Sequence, residues 1–165
     1  MARKTRITPC LWFASEALEA AKHYVRIFRN SKVRRIMRYG KAGQEQHGQK
    51  PGSVLMVEFE LDGQLFTALN GGPIFKFNEA VSLQVYCKDQ KEVDYYWKKL
   101  GAGGDPAAQV CGWLKDKYGL SWQIVPEKQI ELISNPKSAK SQRAFAEMMR
   151  QKKPDLAAVQ KAYDG

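Results

Sequence analysis

The feature that most limits how this chain can fold is an internal repeat. Gly63-Gln64-Leu65-Phe66-Thr67-Ala68-Leu69 aligns with Gly119-Leu120-Ser121-Trp122-Gln123-Ile124-Val125, a shift of 56 residues from Gly63 to Gly119. Ser15 and Asp89, a shift of 74, both stand as N-cap candidates before amphipathic segments. The two shifts differ, so the halves share an order of elements and differ in inner loop length. Neither half buries an apolar face alone, and the two must pack as one unit.

In the first half, residues 7–13 read as a strand. Ser15 then offers an N-cap, with Glu16 and Glu19 in the first turn, where the helix dipole favours anions. Ala17, Ala20, Ala21, Tyr24 and Phe28 recur at helical spacing, and Arg26 and Arg29 suit the negative end. Residues 32–39 alternate basic and apolar side chains as a half-exposed strand, and 41–52 form a loop. Two apolar runs, 53–61 and 64–69, flank Asp62-Gly63, a strong hairpin signal.

The second half repeats the order. Residues 80–87 read as a strand, and Asp89 caps a helix with Glu92 three residues on, a capping-box variant. Val93, Tyr96, Trp97 and Leu100 form its apolar stripe and Gly101 ends it. After a Gly/Pro/Ala loop comes a weak early strand around Gln109. Strands over 112–117 and 120–125 then flank Tyr118-Gly119. The predicted class is α+β: a single domain of tandem βαβββ modules, 5–72 and 78–127, with a helical tail over 128–165. In that tail Asn135 reads as a cap, with Pro136 at the first helical position. Ala144, Phe145, Met148 and Met149 give an apolar face, and Pro154-Asp155 opens a last helix through Leu156, Val159 and Tyr163.

Composition narrows the function classes. At 165 residues the chain is too short for two full-sized domains, and 44% hydrophobic content supports a real core. No apolar run approaches the roughly 18 residues of a membrane span. The short apolar stretch near the basic N-terminus holds Thr8 and Pro9, so no secretory signal is expected. Three cysteines without a C-x-x-C make no disulfide framework, and the expected location is the cytoplasm. The net charge of +10 is local: residues 1–50 hold 12 Lys/Arg against 3 Asp/Glu, concentrated in Arg3, Lys4, Arg6, Arg26, Arg29, Lys32, Arg34, Arg35 and Arg38. Nucleic-acid modules interleave exposed aromatics or present a reading helix, and neither pattern is evident. Nucleic-acid binding is therefore not expected. The basic segment reads as a solvated face, with a weak preference for an acidic ligand.

Five stretches carry a family likeness. They are Ile7-Thr8-Pro9-Cys10-Leu11-Trp12-Phe13, Glu58-Phe59-Glu60-Leu61-Asp62-Gly63, Thr67-Ala68-Leu69-Asn70-Gly71-Gly72-Pro73, Phe75-Lys76-Phe77-Asn78-Glu79-Ala80, and the run from Cys111-Gly112-Trp113 to Val125-Pro126. With the tandem βαβββ order they resemble the PhnB-like branch of the vicinal oxygen chelate superfamily, which includes glyoxalases, bleomycin-resistance proteins and extradiol dioxygenases. The resemblance spans about Ile7 to Gly165. It implies eight strands in two incompletely closed, mixed-sheet half-barrels, each framing a cavity, in a homodimer. Members of the branch often carry the label demethylubiquinone methyltransferase. That label conflicts with the chemistry. A doubly wound methyltransferase needs a Gly-rich turn after its first strand, and here the turn is Ala14-Ser15-Glu16.

Metal-using members of the superfamily place His or Gln on each module's first strand and Glu on its last. Carried over residue by residue, those positions become Thr8 and Thr67, then Ser82 (or Val81 in a slipped register) and Gln123. Alcohols and amides without a carboxylate do not hold a transition metal against water. No metal and no cofactor are expected. His23 and His47 are expected at the surface, and Glu58 and Glu60 on a solvated rim.

Alternation along strands places Thr8, Cys10 and Trp12 on one face, as it does Ser82, Gln84 and Tyr86, and Ser121, Gln123 and Val125. Thr67 and Leu69 join from the first module. Inward polar groups cost free energy unless hydrogen-bonded, so they suit either a satisfied polar core or a bound polar ligand. Candidate substrate-binding residues are thus Thr8, Cys10, Trp12, Thr67, Ser82, Gln84, Cys111, Trp113 and Gln123, with no catalytic residue assigned. Cys10 and Cys111 read as buried, inert thiols. Trp113 and Trp122 suit either the core or an aromatic ligand wall. The leading expectation is a homodimer binding an unknown small polar molecule in a metal-free cavity. The alternatives are a metal-dependent glyoxalase- or dioxygenase-type enzyme and an antibiotic-sequestering protein.

Overall fold

A computed structural model describes residues 6–165. Arg3 and Lys4 of the basic segment, and Thr5 at the start of the first module, lie outside the described residues. Two compact units result, one ending at Lys76 and the other running from Phe77 to Gly165.

The first unit contains β1 (Cys10–Phe13), α1 (Ala17–Ile27), β2 (Lys32–Arg38), a one-turn α2 (Gln44–His47) inside the expected loop, β3 (Val54–Leu61) and β4 (Gln64–Asn70). Its strands order as β1-β4-β3-β2, with β1 parallel to β4 and the other pairs antiparallel. One sheet face, with Leu11, Phe13, Val57, Phe59, Phe66 and Ala68 buried, packs under the α1 residues Ala17, Ala20, Ala21, Tyr24 and Ile27. The alanines let the helix sit close, and Tyr24 stacks on Phe59 at 6.4 Å. The hairpin signal is realised: Asp62 and Gly63 take φ of 46° and 80°, the left-handed pair a tight two-residue turn requires.

Two boundaries differ from the sequence reading. Pairing in β1 begins three residues late, at Cys10, where Pro9 has no N–H to give. Nor does Ser15 cap α1. Asn70, from the end of β4, accepts the Ala17 N–H at 2.8 Å and donates to the Val54 carbonyl at 3.1 Å. That cap comes from 53 residues away, so no local pattern could reveal it.

The second unit contains β5 (Leu83–Cys87), α3 (Gln90–Gly101), a 3₁₀ turn (Pro106–Ala108), β6 (Trp113–Lys115), β7 (Ser121–Pro126), α4 (Glu127–Ile133), α5 (Ala139–Arg150) and α6 (Leu156–Asp164). Its sheet orders as β5-β7-β6, with β5 parallel to β7 and β6 antiparallel to it. Asp89 accepts the Glu92 N–H at 2.9 Å while the Glu92 carboxylate accepts the Lys88 N–H at 3.1 Å, so the capping box forms with its return bond one residue early. The weak strand around Gln109 does not form. Pro106 lacks a donor, the Asp105 carboxylate takes the Ala107 N–H at 2.8 Å, and only a single bridge, Val110 to Trp113, remains.

The tail belongs to this unit. Helix α4 had no counterpart in the sequence reading, and α5 starts at Ala139 with Ser138 as its cap. Asn135 instead closes a local turn by accepting the Lys137 N–H at 3.1 Å, which leaves Pro136 outside the helix. Asp155 caps α6 as expected, accepting from Ala158 at 3.0 Å. Leu132, Ala144 and Val159 form the tail's core, with Ile133, Met148 and Tyr163 against it. The whole is a mixed α+β fold with two mixed sheets, neither closed into a barrel, and C-terminal helices. Among the described residues no helix is long and apolar enough to cross a membrane.

Candidate functional site

Each sheet buries one face under helices and leaves the other uncovered by them. On that second face of the first unit, the register aligns Cys10, Thr67, Glu58 and Arg35 in one row and Trp12, Leu69 and Met56 in the next. Cys10 is exposed rather than buried, because it lies opposite the helix-covered face. Thr8 precedes β1 and is half-buried. The Trp12 indole N–H donates to the Gly72 carbonyl at 2.9 Å, and its ring meets Phe75 edge-on at 4.9 Å. Gly71 makes this possible, since a Cβ there would lie 2.1 Å from the indole. The expected solvated rim is instead a charge-paired surface: Glu58 meets Arg35 at 2.5 Å, and Glu60, only 6% exposed, pairs with Arg34. The arginines of β2 are thus partly spent on neighbouring carboxylates.

The second unit differs. Leu83, Trp122 and Leu114 align toward the helix-covered side, and Gln84, Gln123 and Trp113 align on the other. There an uncharged relay forms. The Gln123 amide donates to the Ser82 hydroxyl at 2.7 Å, Gln84 donates to Gln123 at 3.4 Å, and the Tyr86 hydroxyl donates to Gln84 at 3.0 Å. Gln84 and Tyr86 are exposed, while Ser82 and Gln123 are half-buried.

Beside this relay lies a cavity of about 310 Å³, walled by Ala107 and Ala108 of the 3₁₀ turn, Val110, and Trp113, Lys115 and Ser121 of the sheet. It occupies the edge where the unformed strand would have paired. Lys115 and Ser121 are direct cross-strand partners. Glu79, on the preceding loop, also lines the cavity and forms an ion pair with Lys115. Its hydrogen bond from Lys115 holds the Glu79 carboxyl below the usual carboxylate range. Ser121 is 1% exposed, and its hydroxyl has no hydrogen-bond partner. Gly104 presses on the Lys115 carbonyl, where a Cβ would come within 1.9 Å.

The other candidates separate. Trp113 walls the cavity, whereas Trp122 is core and donates to Asp116 at 2.8 Å. Cys111 turns to the tail, its thiol 3.7 Å from the Met148 carbonyl and 3.6 Å from the Met149 sulfur, and partial burial raises its pKa. Cys87 is buried and its thiol is pushed up to about 12, chiefly by desolvation. His23 and His47 are half-buried rather than at the surface: His23 lies 5.8 Å from the Tyr24 ring and His47 lies tilted at 4.6 Å from the Tyr39 ring. Lys115, Ser121 and Asp116 were not among the candidates. An Asp two residues before Tyr118-Gly119 was a readable turn signal, and Asp116 indeed accepts the Tyr118 and Leu120 N–H groups at 2.8 and 3.1 Å.

The donor set at the positions equivalent to the superfamily's metal ligands does not suit a divalent transition ion. Thr8, Thr67, Ser82 and Gln123 offer no carboxylate, imidazole or thiolate, and the Gln123 amide is already engaged on both sides. Among the described residues no three His, Cys, Asp or Glu side chains gather in a group that could hold a metal. A doubly wound sheet for a sulfonium cofactor is likewise missing among the described residues, since both sheets are mixed and the turn after β1 contains no glycine.

The family described as 3-demethylubiquinone-9 3-methyltransferase matches residues 5–125. A PhnB protein from Bacillus cereus with the same description is 34% identical, over 74% of this chain and 99% of that one, with a TM-score of 0.62. A Pseudomonas aeruginosa protein, 16% identical over 75% of this chain and 98% of its own, shares the fold with a TM-score of 0.57. A glyoxylase/bleomycin resistance protein/dioxygenase domain from Frankia is 11% identical over 75% and 93%, with a TM-score of 0.43. No curated protein matches the chain.

Proposed function

The chain belongs to the PhnB-like family of the vicinal oxygen chelate superfamily, the family described as 3-demethylubiquinone-9 3-methyltransferase, and from that premise we propose that it binds a small polar organic molecule without a metal. The observation that carries this reading is the Ser82–Gln123–Gln84–Tyr86 relay, next to a cavity walled by Trp113, the cross-strand partner of Gln123. Uncharged donors and acceptors held by one another on an accessible sheet face give orientation without a strong charge, and the adjoining cavity supplies a concave surface for apolar atoms. Methyl transfer is not part of the proposal, because neither sheet has the topology that such a cofactor requires. A homodimer working in the cytoplasm completes it, on the strength of the family likeness, with light scattering as the check on assembly.

The test is ligand-observed NMR with a panel of neutral and charged small polar compounds. At least one compound should bind the purified protein saturably, and Gln123→Leu should weaken it about tenfold, as expected for losing the amide's hydrogen bonds. Binding that ignores Gln123→Leu would contradict the site. Stoichiometric zinc, nickel, manganese or iron in the purified protein would contradict the metal-free part.

A further inference from the structure

We propose that the cavity at the edge of β6 takes the carboxylate of a small acid with an aromatic or branched apolar body, held by the Lys115 ammonium and the Ser121 hydroxyl. The proposal rests on the small-molecule reading above and names the ligand's class and its anchoring residues.

Three observations converge. First, Ser121 is enclosed on the cavity floor, yet its hydroxyl has no partner. Buried hydroxyls are ordinarily satisfied, so an orphan in a cavity wall marks a place for an acceptor from outside the protein. In the proposed complex the wall moves enough to uncover that hydroxyl, which the unliganded protein keeps sealed. Second, the fixed charge beside it is positive. Lys115 projects from a strand paired directly with Ser121 and its side chain is 26% exposed, whereas its partner Glu79 sits on a loop at 63% exposure. An exposed carboxylate contributes little by holding such a pair and is readily displaced. A ligand carboxylate can therefore take Glu79's place on Lys115 while its second oxygen accepts from Ser121. Third, the remaining wall is apolar: Val110, Trp113 and the two alanines of the 3₁₀ turn. At about 30 Å³ for each water-sized group, 310 Å³ admits roughly ten non-hydrogen atoms, the size of a benzoate rather than of a nucleotide.

The experiment titrates the full chain with benzoate and with benzamide, its neutral counterpart of equal shape, by protein-observed NMR. Benzoate should bind at least about tenfold more tightly than benzamide, the usual gain of a charge-assisted bond over a neutral one. Lys115→Met should remove that preference and leave benzamide unchanged. Ser121→Ala, which alters one buried atom and keeps the fold, should weaken benzoate about threefold to tenfold. Glu79→Gln should tighten benzoate, because the competing carboxylate is gone. Equal affinity for the two probes, or benzoate binding that is indifferent to both Lys115→Met and Ser121→Ala, would overturn the inference. If benzoate fails to bind while neutral compounds bind through Gln123, the inference falls and the broader reading stands. If no compound binds at all, both fall.

Discussion

The two sheets start from the same order of elements and end with different surfaces. In the first unit the edge strand β2 forms, and its arginines, Arg34 and Arg35, close onto Glu60 and Glu58 across the β2–β3 pair. In the second, Asp105-Pro106 turns the chain away before that strand can pair, and the vacated edge becomes a cavity. A local break in one repeat thus converts a closed, charge-paired edge into a concave, mostly apolar one. Concave space arises where the second copy leaves its sheet unfinished, because an unformed strand leaves room that neighbouring side chains do not fill.

The largest test of this contrast compares the turns that close each hairpin. Asp116 is 2% exposed and accepts from Tyr118, Leu120 and Trp122, so Asp116→Ala should lower unfolding free energy by about 3 kcal/mol or more in urea titrations. Asp62 sits in a turn held by its backbone, with the Asp62 N–H donating to the Ser31 hydroxyl at 2.9 Å and the Gly63 N–H to the Asn30 carbonyl at 3.2 Å, so the same change there should cost about 1 kcal/mol. The reverse ranking would break the distinction between a turn held by a side-chain carboxylate and one held by its backbone N–H groups. Next, Gly104→Ala places a Cβ against the Lys115 carbonyl and should cost about 2 kcal/mol while enlarging or distorting the cavity. Unchanged stability together with unchanged NMR shifts at Trp113 and Ser121 would mean that the loop does not set the cavity's wall.

The smallest effect is electrostatic. Asp94 on α3 is held below its ordinary pKa, first by the hydrogen bond from Lys153 and then by that from Gln90. A carboxylate depressed in the folded state stabilises above its unfolded pKa, about 3.9, and that contribution disappears as pH falls through the folded value. The stability gap between the wild type and Lys153→Met should therefore be present at neutral pH and close in acid. A gap that persists at pH 2 would show that Lys153 acts by packing instead.

Much of the framework was legible because its signals are local. The Asp62-Gly63 hairpin, the Asp89/Glu92 cap and the alternation of β3, β4 and β7 each follow from residues a few positions apart. The site was less legible. Sequence placed Ser82, Gln84 and Gln123 on common faces, and the structure joins them in one relay. It grouped Cys111 with Trp113 among the ligand-binding candidates, yet a left-handed φ of 50° at Cys111 turns that thiol toward α5. It passed over Lys115 and Ser121 because alternation alone does not tell which polar residue a distant turn will cover.

Composition, spacing and repeat by themselves determined the α+β class and the repeated order of elements, five quoted motifs carried the family likeness, and residue identity alone displayed the poverty of metal-binding groups at Thr8, Thr67, Ser82 and Gln123. Those depend on side-chain chemistry and short-range periodicity, which a linear chain displays openly. Only tertiary structure decided that Asn70 caps α1, that Glu60 is buried against Arg34, and that the Ser121 hydroxyl is sealed without a partner beside Lys115. Each of these joins groups far apart in sequence or depends on what covers them, and burial is a property of the packed molecule rather than of any segment.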